Sequence, residues 1–428
     1  MASNKAPQRA PLMSLDEALG QVLAQARVLA GTESVAILDA DGRFLAEDLI
    51  SGLQVPPQDN SSMDGYAVRV EDLPVVGVKL KVTQRIPAGH SGHALMAGEA
   101  ARIFTGAPIP PGANAVVMQE DTQTLESENQ PAAHPVVQVN VLPSKGQWIR
   151  RSGEDVSKGD IVLPKGTRLN PASLGLAASI GRAQVSVIRK PRVALFSTGD
   201  ELVMPGEVAP EDMRPGAIYN SNRFFLRALL MRSGCAVTDL GIVPDNLPDT
   251  LKVLKFAAQE HDLVLTSGGV SVGEEDHVKP AVEQLGRLNL WQISMKPGKP
   301  FAFGHLNLID TSKQHGAYFM GLPGNPVSSY VTYQLLVRPF LLALQGHAHE
   351  ASKSYLLQAN FDFPKPDKRR EFLRVQRNSE GTLDLFPNQS SGVLTSVVWG
   401  DGVIDNPSMQ AIQHGDWVRF FPFAEWLQ

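Results

Sequence analysis

Between Arg192 and Gly346 the sequence alternates between two hydrophobic rhythms, and this alternation restricts the chain to few architectures. "RVALFST" reads as a strand, "NSNRFFLRALLMRSG" repeats apolar residues at helical spacing up to Gly234, and "AVTDLGIV", "PDTLKVLKFAAQE" and "DLVLTSGG" continue as strand, helix and strand. Strands that alternate with helices pair in parallel and are covered on both faces. The pattern runs on through "LNLWQISM" and "AYFMGLPG" to a long helix that opens at Asn325, has Pro326 in its first turn and closes near Gly346. Residues 181–346 are therefore expected to form a doubly wound α/β domain with a parallel sheet.

A chain of 428 residues exceeds one ordinary core, so further domains must flank this one. "SLDEALGQVLAQARVL" is an amphipathic helix with Ser14 as its N-cap, and "KGQWIRRSGEDVSKGDIVLPKGTRLNPASLGLAASIG" carries turns and a helix capped at Asn170. Residues 10–53 and 144–180 are read together as one discontinuous N-terminal α+β dimerisation domain. Between them, residues 54–143 hold short β-like runs punctuated by Pro and Gly, an inserted mostly-β domain. After Gly346 the helical period disappears, and residues 347–428 read as a C-terminal β barrel. The expected fold class is multidomain α/β plus β.

A net charge of −5 and the absence of a long Lys/Arg stripe argue against nucleic acid as a partner. No apolar run approaches the ~18 residues of a membrane helix. "MASNKAPQRAPL" lacks the apolar centre of a secretory signal. A cytoplasmic protein without a membrane partner is the expectation. The single cysteine, Cys235, can form neither an internal disulfide nor a zinc cluster and reads as a small buried apolar residue. The histidines are scattered, so a zinc-type site is not expected.

Ligands of open α/β sheets bind beyond the carboxyl ends of the strands. The segments there are "STGDE" (197–201), "PDN" (244–246), "TSGGVSVGEED" (266–276), "KPGKP" (296–300) and "GLPGNP" (321–326). Glycine turns and helix N-termini suit a phosphate, and Lys296 and Lys299, in a loop stiffened by Pro297 and Pro300, suit a second anion. Against them stand Asp200, Glu201, Asp245, Glu274, Glu275 and Asp276, too many acids for an anion site acting alone. Mg²⁺, which is held by one or two carboxylates plus substrate phosphates, reconciles the two. Each loop taken singly also fits an ordinary turn or helix cap, and "SGGVSVG" matches neither Walker A nor GxGxxG spacing. The case rests on all five loops falling at one sheet edge.

These loops, with "DNSSMDGYAV", "TGAPIPPGANAVVMQED", "RRSGEDVSKGD", "IYNSN" and "MKPGKPFAFG", resemble the MoeA family of molybdopterin molybdenumtransferases, to which the E domain of gephyrin is related. The resemblance implies a molybdopterin-binding type α/β domain and a reaction in molybdenum cofactor biosynthesis. In that reaction molybdate is inserted into adenylylated molybdopterin, with Mg²⁺ and with release of AMP. It also implies a homodimer whose cleft is completed by the partner, and a transient contact with the molybdopterin adenylyltransferase. The implied catalytic positions are Asp64, Thr105, Glu201, Asp245 and Asp276, of which Asp245, Asp276 and Glu201 are metal candidates. Substrate contacts are implied for Asp155, Thr198, Gly199, Ser267, Gly268, Gly269, Lys296, Lys299, Pro323, Pro326 and Arg374. Gln292 departs from the family's lysine, so another basic residue substitutes or oxyanion affinity is weaker. The rival reading is a non-catalytic gephyrin-like binding scaffold.

Overall fold

The computed structural model describes residues 12–125, 135–270, 277–307, 316–348 and 351–427. The chain divides into two compact units, one of Met1–Glu33, Gly42–Ala46 and Ser186–Gln428, the other of Ser34–Asp41 and Glu47–Val185.

The first unit is built on a six-stranded sheet in the order Ala236–Val243, Arg192–Thr198, Leu263–Ser267, Ala317–Leu322, Pro300–Leu306, Gly286–Gln292. Its first four strands are parallel, as the alternation requires. The last two run antiparallel to their neighbours, where the sequence pattern suggested a parallel continuation. The chain between Gln292 and Pro300 is too short for a parallel crossover, so it returns directly. Alternate residues of each strand feed two cores. Val193, Leu195 and Leu263 pack with the helices Ser221–Arg232 and Pro326–Leu344 on one face, whereas Ala194, Phe196 and Val264 pack with Leu247–Glu260 and Val278–Leu285 on the other.

Helix Leu15–Gln25 forms as expected, with the Ser14 hydroxyl accepting from the Glu17 N–H at 3.2 Å. It does not join residues 144–180. Its apolar stripe of Leu15, Ala18 and Val22 is buried in the α/β core with Tyr333, Leu336 and Val337, because a 3.6-residue stripe needs an apolar partner and the long core helix provides one. Cys235 is a buried free thiol in the same core, donating to the Ser233 carbonyl at 4.0 Å, and burial pushes it up. The segment Pro326–Leu344 is long and apolar enough to cross a membrane by composition, yet 78% of it is buried inside this core.

Beyond Leu344 the chain forms a small barrel. Strands Arg370–Arg377, Gly402–Asn406, Trp417–Pro422 and Tyr355–Gln358 pair in sequence, Leu383–Leu385 pairs with Arg370–Arg377, and the Ala359–Leu383 bridge closes the ring. Met295–Lys296 adds in parallel to the edge at Arg370 and Glu371, which brings the proline-framed lysine loop to the barrel.

Asp262 ties this unit together at the foot of the sheet. Its carboxylate accepts from Arg189 at 2.7 and 2.8 Å and from the Arg192 N–H at 2.8 Å. Burial pushes the carboxyl up, but the hydrogen bonds, led by Arg189, outweigh it and hold it below its ordinary value. Stability from such a group is present above its unfolded pKa and is lost as pH falls through the depressed folded one. Asp262→Asn is expected to cost about 2–4 kcal/mol at neutral pH and to flatten the loss of stability below about pH 4, measured by urea unfolding across pH.

The second unit carries its own six-stranded sheet, in the order Ala115–Met118, Gly65–Val68, Glu99–Ile103, Lys79–Ile86, Val136–Val139, Thr122–Leu125. Only Lys79–Ile86 and Glu99–Ile103 are parallel. Gly65–Val68 is buried throughout, and its four residues are too few to show a period in the sequence. Helix Pro171–Ser179 starts with the Asn170 and Ser173 side chains capping each other's backbone N–H, with Pro171 in its first turn.

Candidate active site

The central strands Arg192–Thr198 and Leu263–Ser267 are neighbours whose chains leave toward opposite edges of the sheet, which opens a crevice at their carboxyl ends. A cleft of about 1090 Å³ occupies that position. Its floor is backbone. The Gly268 N–H donates to the Leu322 carbonyl at 3.0 Å, and Gly268 and Gly269 take φ of +96° and +66°. A Cβ on Gly268 would lie 2.8 Å from the Thr198 carbonyl, so glycine alone lets the two loops close together.

Hydrogen bonds fix the polar rim. The Thr198 hydroxyl donates to Asp245 at 3.2 Å, and the Asn222 amide donates to the Ser267 hydroxyl and the Gly324 carbonyl, both at 2.7 Å. The Glu201 carboxylate folds over Gly199, where an added Cβ would meet its oxygens at 2.6 and 2.8 Å. Ser329 donates to the Pro323 carbonyl, and Pro326 begins the core helix, whose Val327 N–H donates to the Ser391 carbonyl at 3.0 Å. Thr198, Gly199, Glu201, Asp245, Ser267, Gly268, Gly269, Lys296, Lys299, Pro323 and Pro326 thus all line one cleft. Asp276, with Glu274 and Glu275, lies outside the described residues.

The cations there are not equivalent. Lys296 donates to Glu371 at 3.0 Å and stands 3.6 Å from Asp367. Arg369 forms a fork on Asp367 at 3.0 and 2.9 Å, and chiefly through this fork the Asp367 carboxyl is held well below the usual carboxylate range. Lys299 has no ion-pair partner among the described residues, so its charge is the one left to attract an anion. Arg369, Asn220, Asn222 and the loop Gln389–Gly392 also line the cleft. No sequence signal marked Arg369 or that loop, which come from the barrel, although "IYNSN" contains both asparagines.

Arg374 is a correction. Expected to touch an oxyanion, its side chain is instead buried beneath the cleft wall, 1% exposed. It donates to the Phe372 carbonyl at 3.0 Å, the Ser396 hydroxyl at 3.1 Å and the Ser390 carbonyl at 3.3 Å, and burial pushes its guanidinium down to about 10. Strand alternation sends Leu373 and Val375 into the barrel core and Arg374 to the opposite face, under the loop Gln389–Gly392. Gln292 closes a strand whose backbone accepts from Met13, and it does not line the cleft.

The second unit holds the remaining positions. Asp64 accepts from both the N–H and the hydroxyl of Thr105 at 2.8 Å. The N–H first and the hydroxyl second hold its carboxyl below its ordinary value, so the pair is an exposed, ionised acceptor. Asp155 bonds Val55 through its backbone at 3.0 Å and leaves its side chain exposed.

Among the described residues no group of three His, Cys, Asp or Glu could hold a metal unaided. Asp245 and Glu201 are the described carboxylates that line the cleft and could offer oxygen to an ion such as Mg²⁺, which ordinarily takes one or two carboxylates with water and substrate phosphate.

A doubly wound domain with an acid-and-lysine cleft at its switch point defines an α/β protein built to bind an anionic ligand. Residues 194–343 match the family described as a probable molybdopterin binding domain, residues 13–181 the MoeA N-terminal region (domain I and II), and residues 357–423 the MoeA C-terminal region (domain IV). Similar curated proteins are both named molybdopterin molybdenumtransferase. That of Haemophilus influenzae is 44% identical over 87% of this chain and 89% of its own, and that of Bacillus subtilis 35% identical over 83% and 81%. The crystal structure of the molybdopterin biosynthesis MoeA protein from Pyrococcus horikoshii superposes with a TM-score of 0.80 at 28% identity, covering 96% of this chain and 100% of that one. The chain belongs to the MoeA family of molybdopterin molybdenumtransferases.

Proposed function

We propose that the chain inserts molybdate into adenylylated molybdopterin in an Mg²⁺-dependent reaction that releases AMP, in the cytoplasm and as a homodimer. The observation that carries this reading is the sharing of one cleft by two carboxylates, three cations and a glycine floor. Neither sign of charge is explained without the other. Asp245 and Glu201, with Asp276, would hold Mg²⁺, which supplies positive charge between the acids and the substrate phosphates. Gly268 and Gly269 bring backbone to the pterin phosphate, Lys299 draws in the molybdate dianion, and Lys296 and Arg369 offer donors already oriented by Asp367 and Glu371. The exposed Asp64–Thr105 pair of a second copy of the chain would complete the cleft. The names of the relatives favour this catalytic reading over a scaffold.

The purified protein is to be given adenylylated molybdopterin, molybdate and Mg²⁺, and AMP followed. Release that requires both molybdate and Mg²⁺ is expected. AMP no greater than in the enzyme-free control would defeat the reading.

A further inference from the structure

On the sheet of the second unit three side chains stand in one row across neighbouring strands: Tyr66 is paired with Arg102, and Arg102 with Arg85. Like charges directly across from each other on adjacent strands repel. Neither guanidinium has a carboxylate ion-pair partner among the described residues. Both stack on the Phe104 ring instead, Arg85 at 4.5 Å and Arg102 at 4.6 Å from its centre, and Arg102 also lies 5.2 Å from the centre of Tyr66. Arg102 is anchored further by donating to the Gly65 carbonyl at 2.9 Å and to Gln119 at 2.6 Å. The two arginines border a concavity of about 420 Å³ that also takes in Thr83, Gln84 and Pro135.

We propose that Arg85 and Arg102 form a binding site for a phosphate monoester. Two guanidinium groups each stacked within 4.6 Å of one ring centre lose little freedom on binding, and the Arg85 fork, with the Arg102 N–H groups not taken by Gly65 and Gln119, suits a tetrahedral dianion. An apolar ligand would have to desolvate both charges without compensation, and a cation would add to the repulsion. The site adjoins the Asp64–Thr105 pair through Phe104 and through Arg102, whose charge helps keep the Asp64 carboxyl ionised. It thereby extends the proposed transferase reading and rests on that reading for its role, since adenylylated molybdopterin and AMP both carry phosphate. Binding is read without turnover, so failure here is distinct from failure of the AMP-release assay.

The test is site-resolved labelling of the full-length protein with an arginine-directed dicarbonyl, quantified by mass spectrometry, with inorganic phosphate, AMP, or chloride at matched ionic strength. Phosphate or AMP is expected to slow labelling of Arg85 and Arg102 about fivefold or more while chloride does not. Equal protection by the two ligands assigns recognition to the phosphate group, and stronger protection by AMP assigns it to phosphate plus nucleoside; each outcome supports the site. The exposed variant Arg85→Ala is expected to weaken AMP protection at Arg102 about tenfold with an unchanged circular dichroism spectrum. Labelling unaffected by either ligand, slowing reproduced by chloride, or unchanged protection in Arg85→Ala overturns the proposal.

Discussion

Asp245→Asn is expected to lower turnover by about 10²–10³-fold while leaving the thermal unfolding midpoint unchanged. Asparagine keeps the carbonyl oxygen that the Thr198 hydroxyl needs as acceptor, and the following helix is capped independently by Asn246, which accepts from the Asp249 N–H at 3.0 Å. What the variant loses is one negative charge at the rim, in a half-buried position at the carboxyl end of Ala236–Val243. If that charge holds Mg²⁺ against a substrate phosphate, its loss falls on turnover, and added Mg²⁺ restores little. Thr198→Val is the companion measurement, because it removes the hydroxyl and keeps the charge; a loss of only severalfold is expected there. Near wild-type turnover for Asp245→Asn, or equal losses in the two variants, would reduce Asp245 to a turn residue and defeat the metal assignment.

The sequence resolved what depends on local period and missed what depends on distant partners. Strands such as Arg192–Thr198 and Leu263–Ser267 were legible because they are continuous apolar runs bounded by Gly, Ser and Asp, and the rule for open α/β sheets then located the cleft. The destination of helix Leu15–Gln25 was not legible, since an amphipathic stripe states that it will be buried and not against what. The direction of Pro300–Leu306 depends on a connection too short for a crossover, a fact hidden by the break after Gln292. Lys296 and Lys299 look alike in "KPGKP", yet residues of a different domain, Asp367 and Glu371, neutralise one and not the other. Arg369 and Arg374 are five positions apart on or beside one strand, and only the folded barrel sends the first to the cleft and the second into the wall.

That last distinction gives the largest expected effect on stability. Arg374→Ala is expected to destabilise the first unit by about 3–5 kcal/mol, because it removes a large buried side chain together with its hydrogen bonds to the Phe372 and Ser390 carbonyls and the Ser396 hydroxyl. The Ser390 carbonyl belongs to the loop Gln389–Gly392, which Gln389 also fastens through bonds to the Arg374 backbone at 2.9 and 3.0 Å. Arg374→Met separates packing from hydrogen bonding. It refills most of the volume and removes the burial cost of the charge, so part of the stability returns, while the loop loses the donor to its Ser390 carbonyl and keeps only the Gln389 bonds to the backbone, and KM for molybdate rises. An oxyanion-contacting arginine predicts the reverse pattern for Met, an unchanged unfolding midpoint with molybdate affinity lost. Thermal denaturation and the molybdate dependence of AMP release, measured on both variants, decide between the arginine as a wall strut and the arginine as a ligand contact, and a stable Arg374→Met that no longer binds molybdate would return it to the cleft.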